Sequence, residues 1–188
     1  MTRQLRQGEK RMARENSAHR LAIDCIYEAL IQLMEKKDYK DITITDITRK
    51  AGVSRMAYYR NYADKDEILL RHLKMYLDRA EAGLRERRAL SREEFWRSFV
   101  QSEQADPIHE YLMRAGLFKQ SFNMQKDYLM RISAELFHLD MTDQRAILLI
   151  YQKLGSIFGC ILYMSQHKGD LDPIAVARDL AQLAEDGV

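Results

Sequence analysis

The chain has 188 residues, 46% hydrophobic and 31% charged, with 8 Gly and 2 Pro; so few helix breakers favour a mostly helical fold. Net charge is +2, but residues 1–74 hold 16 Lys and Arg against 11 Asp and Glu (net +5), and residues 75–188 hold 14 against 17 (net −3). A basic front suits a polyanion met from one end. No run approaches about 18 uninterrupted apolar residues and the N-terminus has no apolar signal core, so no membrane partner is expected. Cys25 and Cys160, far apart in apolar helical patterns, read as reduced core thiols of a cytoplasmic protein.

Residues 1–16 carry five basic and few apolar side chains and read as an N-terminal arm. Leu21, Cys25 or Ile26, Ala29, Leu30, Leu33 and Met34 then recur at helical spacing. Ser17 is placed to cap this first helix, and Asp38 to stop it in the left-handed conformation. Thr43 to Asp46 resembles a capping box, with Asp in place of the usual Glu. It opens a second helix lined by Ile44, Ile47 and Ala51. Gly52 ends that helix, Val53 turns inward, and Ser54 caps a short third helix from about Arg55 to Arg60. Asp64 to Glu67 is another capping box, opening a long helix with Ile68, Leu69, His72, Met75, Tyr76, Ala80 and Leu84 on one side.

Further on, Ser91 to Glu94 is a third box, leading into Phe95, Trp96, Phe99 and Val100. Asp106-Pro107 reads as an N-cap followed by Pro at the first helical position. It opens a segment from Ile108 to Phe122, followed by an apolar-rich helix over residues 124–138. Thr142 or Asp143 starts the most hydrophobic helix, which Gly169 would end, and Asp172-Pro173 caps the last. The fold class expected is all-α with about nine helices. The expected division is an arm at 1–16, a first helical domain at 17–64 and a second at 65–188.

A helix, a glycine turn and a short second helix form the pattern of a helix-turn-helix. Tyr39, Thr43, Ile47, Ala51-Gly52-Val53-Ser54, Tyr59, Tyr62 and Lys65, with Ile26 and Ala29 before them, make the stretch similar to the tetracycline-repressor (TetR) family of bacterial regulators. The resemblance is strong over residues 20–72. It implies a homodimer with a three-helix DNA-binding domain and a C-terminal domain that dimerises and senses a small molecule.

By that resemblance Tyr58 and Tyr62 are core residues, and Tyr59 and Lys65 contact phosphate. Thr43 offers a hydroxyl or a helix N-terminus to another phosphate, and Ser54 caps the reading helix. Arg55, Met56, Ala57 and Thr45 face base edges, and Arg60 reaches backbone or base. Arginine can fork onto guanine, while Met and Ala can meet a thymine methyl. Two positions depart from the family pattern: Thr48 where Ala is usual, and Asp38 where Gly is usual. Both bear on local packing.

Ligand-pocket candidates are Phe95, Trp96, Phe99, Tyr111, Met113, Phe118, Phe122, Tyr128 and Phe137. Gly155 and Gly159, in a G-x-x-x-G within the apolar helix, and Tyr163 are candidates for the dimer interface. The five histidines (His19, His72, His109, His138 and His167) are scattered, and His109-Glu110 reads as surface. With no zinc spacing, phosphate loop or nucleophile elbow, neither enzymatic activity nor a metal or cofactor is expected. The expected function is a DNA-binding regulator, by default a repressor, that holds a palindromic double-stranded operator as a homodimer and is released by an effector. The alternative is a helical adaptor controlled by a protein partner.

Overall fold

The computed structural model describes residues 19–86, 91–167 and 172–183. The N-terminal arm, Ser17, Gly169 and the Phe137 side chain lie outside the described residues. Those residues form α-helices and one 3-10 turn: α1 (19–34), the turn Tyr39–Asp41, α2 (Ile44–Ala51), α3 (Arg55–Tyr59), α4 (Lys65–Glu86), α5 (Arg92–Ala105), α6 (Ile108–Arg114), α7 (Phe118–Phe137), α8 (Gln144–Gln166) and α9 (Pro173–Leu183). The chain is all-α, and it divides into two compact units that meet at Leu69 and Leu70, inside α4.

In the first unit, Ile26, Leu30, Met34, Ile47, Tyr58, Ile68 and Leu69 are almost wholly buried. Each such side chain removes enough apolar surface from water to contribute about 1.5–3 kcal/mol. Local signals set the helix ends. Thr43 and Asp46 form the expected capping box: Asp46 N–H donates to Thr43 Oγ1 at 3.1 Å, and Thr43 N–H to Asp46 Oδ2 at 3.0 Å. Gly52 stops α2 in the left-handed region (φ 67°), where a side chain would be strained. Ser54 Oγ then accepts from Ala57 N–H at 3.0 Å and starts α3. Asp38, by contrast, is not a left-handed stop. Its φ is −60°, and α1 ends because the Lys36 and Lys37 N–H groups turn back onto Leu33 O. The Thr48 departure is also accommodated: the side chain is buried and its hydroxyl donates to Thr45 O.

In the second unit α5 packs on α9, α7 on α8, and α6 on both α7 and α8. Its core joins Trp96, Phe99 and Val100 to Ile150, Leu154, Phe158, Ile161, Ala177 and Ala181. Three sequence expectations shift here. The expected helix 108–122 breaks early, at Gly116 (φ 75°), so α6 stops at Arg114 and Phe118 already belongs to α7. Asp106 does not cap α6. Its carboxylate lies 2.5 Å from His72 Nε2, and Pro107 holds the N-cap position. Met75 and Ala80 of α4 are exposed. Elsewhere Ser91 and Glu94 form their box and Asp143 caps α8.

By length and composition α8 could cross a membrane, as the core helix of a helical protein also can. Its inner row, Ala146, Ile150, Leu154, Phe158 and Ile161, is buried in the unit.

Candidate nucleic-acid interface and cavity

The opposite sides of α3 have opposite fates. Tyr58 and Tyr62 are 0% and 2% exposed, whereas Met56 and Tyr59 are 66% and 48% exposed. The Tyr58 ring meets Tyr59 edge-on at 5.3 Å and Tyr62 at 5.9 Å. A buried tyrosine thus props the exposed one outward. Arg55, Met56, Tyr59 and Arg60 are all exposed, Ala57 is half-buried, and Thr45 of α2 is exposed. A guanidinium, a thioether and a phenol on one five-residue helix, with the Arg60 guanidinium at its C-cap, form a surface with both charge and apolar area. That combination suits DNA, because phosphates take charge and hydroxyls while base edges take forked donors and methyl contacts.

Thr43 is exposed, but its hydroxyl is used on both sides of the capping box: it accepts from Asp46 N–H and donates to Asp46 Oδ2 at 2.8 Å. Lys37 closes the same carboxylate at 2.8 Å. The hydrogen bond from Lys37, then those from Thr43, hold Asp46 well below the usual carboxylate range. The Thr43 hydroxyl is therefore engaged within its own capping box.

Lys65 departs from the expectation of a free phosphate-binding ammonium. Its Nζ turns inward, 2.6 Å from Tyr39 O and 2.9 Å from Ile42 O, with Lys40 O at 3.4 Å. It also lies 4.4 Å from the centroid of the Tyr39 ring.

The second unit contains a cavity of about 430 Å³ bordered by α4, α5, α6, α7 and α8. Leu77, Leu84, Phe95, Phe99, Leu129 and Ile157 supply apolar wall. Of the expected pocket residues it includes Phe95, Phe99 and Tyr128; Trp96, Tyr111, Met113, Phe118 and Phe122 are not in its lining. Periodicity could not separate the two groups, because Trp96 packs into the core and Phe118 and Phe122 close on Phe158.

The polar part of the lining escaped sequence reading. His109 is not a surface residue but 1% exposed. Its Nδ1 lies 2.6 Å from Glu103 Oε1 and its Nε2 3.1 Å from Gln125 Oε1. Gln125 is oriented by donating to Ser121 O at 3.3 Å. Tyr76 stands edge-on to His109 at 5.4 Å and hydrogen-bonds Glu103 and Ser102; burial, then the Glu103 carboxylate, pushes its pKa up. Tyr76, Ser102, Asp106, His109 and Gln125 all line the cavity. The only signal in the sequence was charge within an apolar segment, which surface residues also show.

On α8, Gly155, Gly159 and Tyr163 are exposed, and a Cβ at either glycine would meet nothing within 4 Å. Leu148, Leu149, Tyr151 and Leu162 are exposed beside them.

Comparison with known proteins agrees with this geometry. The family model for bacterial regulatory proteins of the tetR family matches residues 26–71. An HTH-type transcriptional regulator of Bacillus subtilis (strain 168), YxbF, is 42% identical over 64 residues, a stretch covering 34% of this chain and 16% of that protein. Among solved structures, the fatty acid degradation regulator FadR from Bacillus halodurans superposes with a TM-score of 0.62 at 16% identity, covering 88% of this chain and 98% of that one. FadR from Bacillus subtilis, described in complex with stearoyl-CoA, gives 0.54 at 15% identity over 89% and 98%. These two likenesses concern the fold. The match over residues 26–71 takes in the capped α2, the Gly52 turn and the outward side chains of α3, and that stretch matches the bacterial regulatory proteins of the tetR family.

Proposed function

We propose that this protein is a transcriptional repressor that binds a palindromic operator as a homodimer and is released when a small molecule fills the cavity of its second unit. The observation that carries the reading is the display of Arg55, Met56, Tyr59 and Arg60 on one side of α3, with Tyr58 and Tyr62 buried behind them. In this reading Arg55, Met56, Ala57 and Thr45 face bases. Tyr59 and the starts of α2 and α3, capped by Thr43 and Ser54, face the backbone.

Dimerisation is supported by the outer row of α8. A helix with two apolar faces buries one in its own unit and needs a second partner for the other. Gly155 and Gly159 let another helix approach closely, and a second copy supplies the same surface about a two-fold axis.

The effector is an apolar small molecule with one hydrogen-bonding end. Its body would fill the Leu77, Phe99 and Leu129 side, and its polar end would meet His109 and Gln125. The B. subtilis FadR described with stearoyl-CoA makes acyl compounds the first to test. Among the described residues, however, the lining carries Arg79 as its single Lys or Arg, together with the Asp106 carboxylate. An uncharged or weakly polar ligand therefore fits better than a phosphate-rich one.

Selection of genomic fragments by the purified chain, followed by salt-dependent mobility shifts, tests the DNA reading. Release of the selected fragment by fatty acids, acyl-CoAs or neutral apolar molecules tests the cavity. A chain that retains no fragment above random DNA would refute the proposal.

A further inference from the structure

Lys65 begins α4, and its ammonium has three protons to donate. Three backbone carbonyls surround it: Tyr39 O at 2.6 Å, Ile42 O at 2.9 Å and Lys40 O at 3.4 Å. The Tyr39 ring lies beneath it, 4.4 Å away at the centroid. The next residue ties the same segment from the other side, because Tyr39 Oη donates to Asp66 Oδ1 at 2.6 Å. These groups lie within the first unit. The segment they grip leads directly into Thr43, the N-cap of α2.

We infer that Lys65 is a positioning residue for DNA binding: it clamps the Tyr39–Ile42 turn, and so the start of α2, and does not pair with a phosphate. The inference rests on the DNA-binding reading above. A phosphate oxygen would have to displace at least one carbonyl, since no fourth donor exists. Tyr39, Asp66 and Lys65 act together as one clasp, and Thr43 and Thr45 are the groups whose placement depends on it. A lysine suits this site for a geometric reason. Its compact ammonium can aim three donors at converging carbonyls, while the planar fork of arginine cannot.

The test compares full-length wild type with Lys65→Arg, Lys65→Met and Tyr39→Phe on a duplex carrying the selected operator. Measurements are made across a salt series, at a temperature where circular dichroism shows each variant folded. The clasp predicts that Lys65→Arg, although it keeps the charge, weakens binding about tenfold, the effect of losing roughly one to two hydrogen bonds. Lys65→Met should weaken binding without changing the slope of log affinity against log salt. Tyr39→Phe, the milder variant, should show the same signature and faster amide exchange at Ile42 and Thr43.

If Lys65→Met lowers the slope by about one unit and Lys65→Arg restores affinity, a phosphate contact is shown and the inference is overturned. Lower melting temperatures with unchanged affinity of the folded protein overturn it too, since they leave Lys65 a merely structural role. A wild type without salt-dependent binding removes the DNA-binding reading, and this inference with it; that outcome is distinct from either variant result.

Discussion

Tyr58 offers a test in which removing a polar atom should strengthen the protein. Its side chain is 0% exposed, and its hydroxyl finds no hydrogen-bond partner among the described residues. Burial accordingly pushes its pKa up. A buried hydroxyl without a partner costs about 1–3 kcal/mol relative to one in water. Tyr58→Phe removes that cost and keeps the ring contacts with Tyr59 and Tyr62. The gap left is one oxygen in size and offsets roughly 0.5–1 kcal/mol through lost packing.

The expected net gain is about 1 kcal/mol. In melting temperature that is about 4–8 °C if the first unit unfolds alone, and about 2–4 °C if the whole chain unfolds together. Thermal and urea denaturation of the full chain measure it. Tyr39→Phe is the internal control. The Tyr39 hydroxyl donates to the Asp66 carboxylate at 2.6 Å, so the same chemical change there should cost roughly 1.5–3 kcal/mol. A loss of 1 kcal/mol or more in Tyr58→Phe would refute the reasoning, because it would mean that the hydroxyl is satisfied in solution.

Other outcomes follow from the same structure. Arg55→Ala should relax base preference at one position per half-site by about 1–3 kcal/mol while changing random-DNA affinity far less; base-by-base operator selection reads this, and an unchanged profile would leave specificity to Thr45, Met56, Ala57 or Arg60. Gly159→Arg should yield a folded monomer in sedimentation at micromolar concentration, since a Cβ at Gly159 meets nothing within 4 Å of its own chain; a dimer as tight as wild type would move the interface elsewhere. Glu103→Ala should cost about 3 kcal/mol by leaving His109 without its buried partner, and His109→Ala combined with it should cost clearly less than the two single changes added together; additivity would show that the pair is not coupled. Burial, then Glu81, pushes Tyr128 from 10.0 up to about 12, and burial also raises Tyr39, Tyr58 and Tyr76. With folded values above unfolded ones, this stabilisation is full below about pH 10 and is lost as pH rises through 12; tyrosinate absorbance tracking circular dichroism measures it, and ordinary titration of all ten tyrosines in the folded chain would contradict it.

The first unit was legible because its geometry is written locally. Thr43 with Asp46, Gly52 with φ > 0, and Ser54 before Ala57 each satisfy backbone groups within a few residues, so spacing alone identifies them. The family resemblance places Tyr58 and Tyr62 in the core, and both are buried. Lys65 could not be read this way. Its acceptors lie 23 to 26 residues back, and a lysine that opens a helix looks the same whether its stem runs outward or folds inward.

The second unit shows why apolar periodicity identifies helices better than pockets. Trp96 and Phe99 are three positions apart in α5, yet Phe99 reaches the cavity and Trp96 does not. Core and pocket walls obey the same helical spacing, so the distinction depends on what faces each residue from another helix. The polar lining was harder still. Glu103 on α5, His109 on α6 and Gln125 on α7 are separated by the turn at Asp106-Pro107 and the turn at Gly116, and no local pattern links them. Because an isolated buried carboxylate is so costly, such a residue within an otherwise apolar unit is informative once seen. It needs His109 to be tolerated, and His109 in turn borders the cavity beside Gln125. The polar group that stabilises the unit is therefore the one an effector would meet, and effector specificity and the stability of this unit should change together when Glu103 or His109 is replaced.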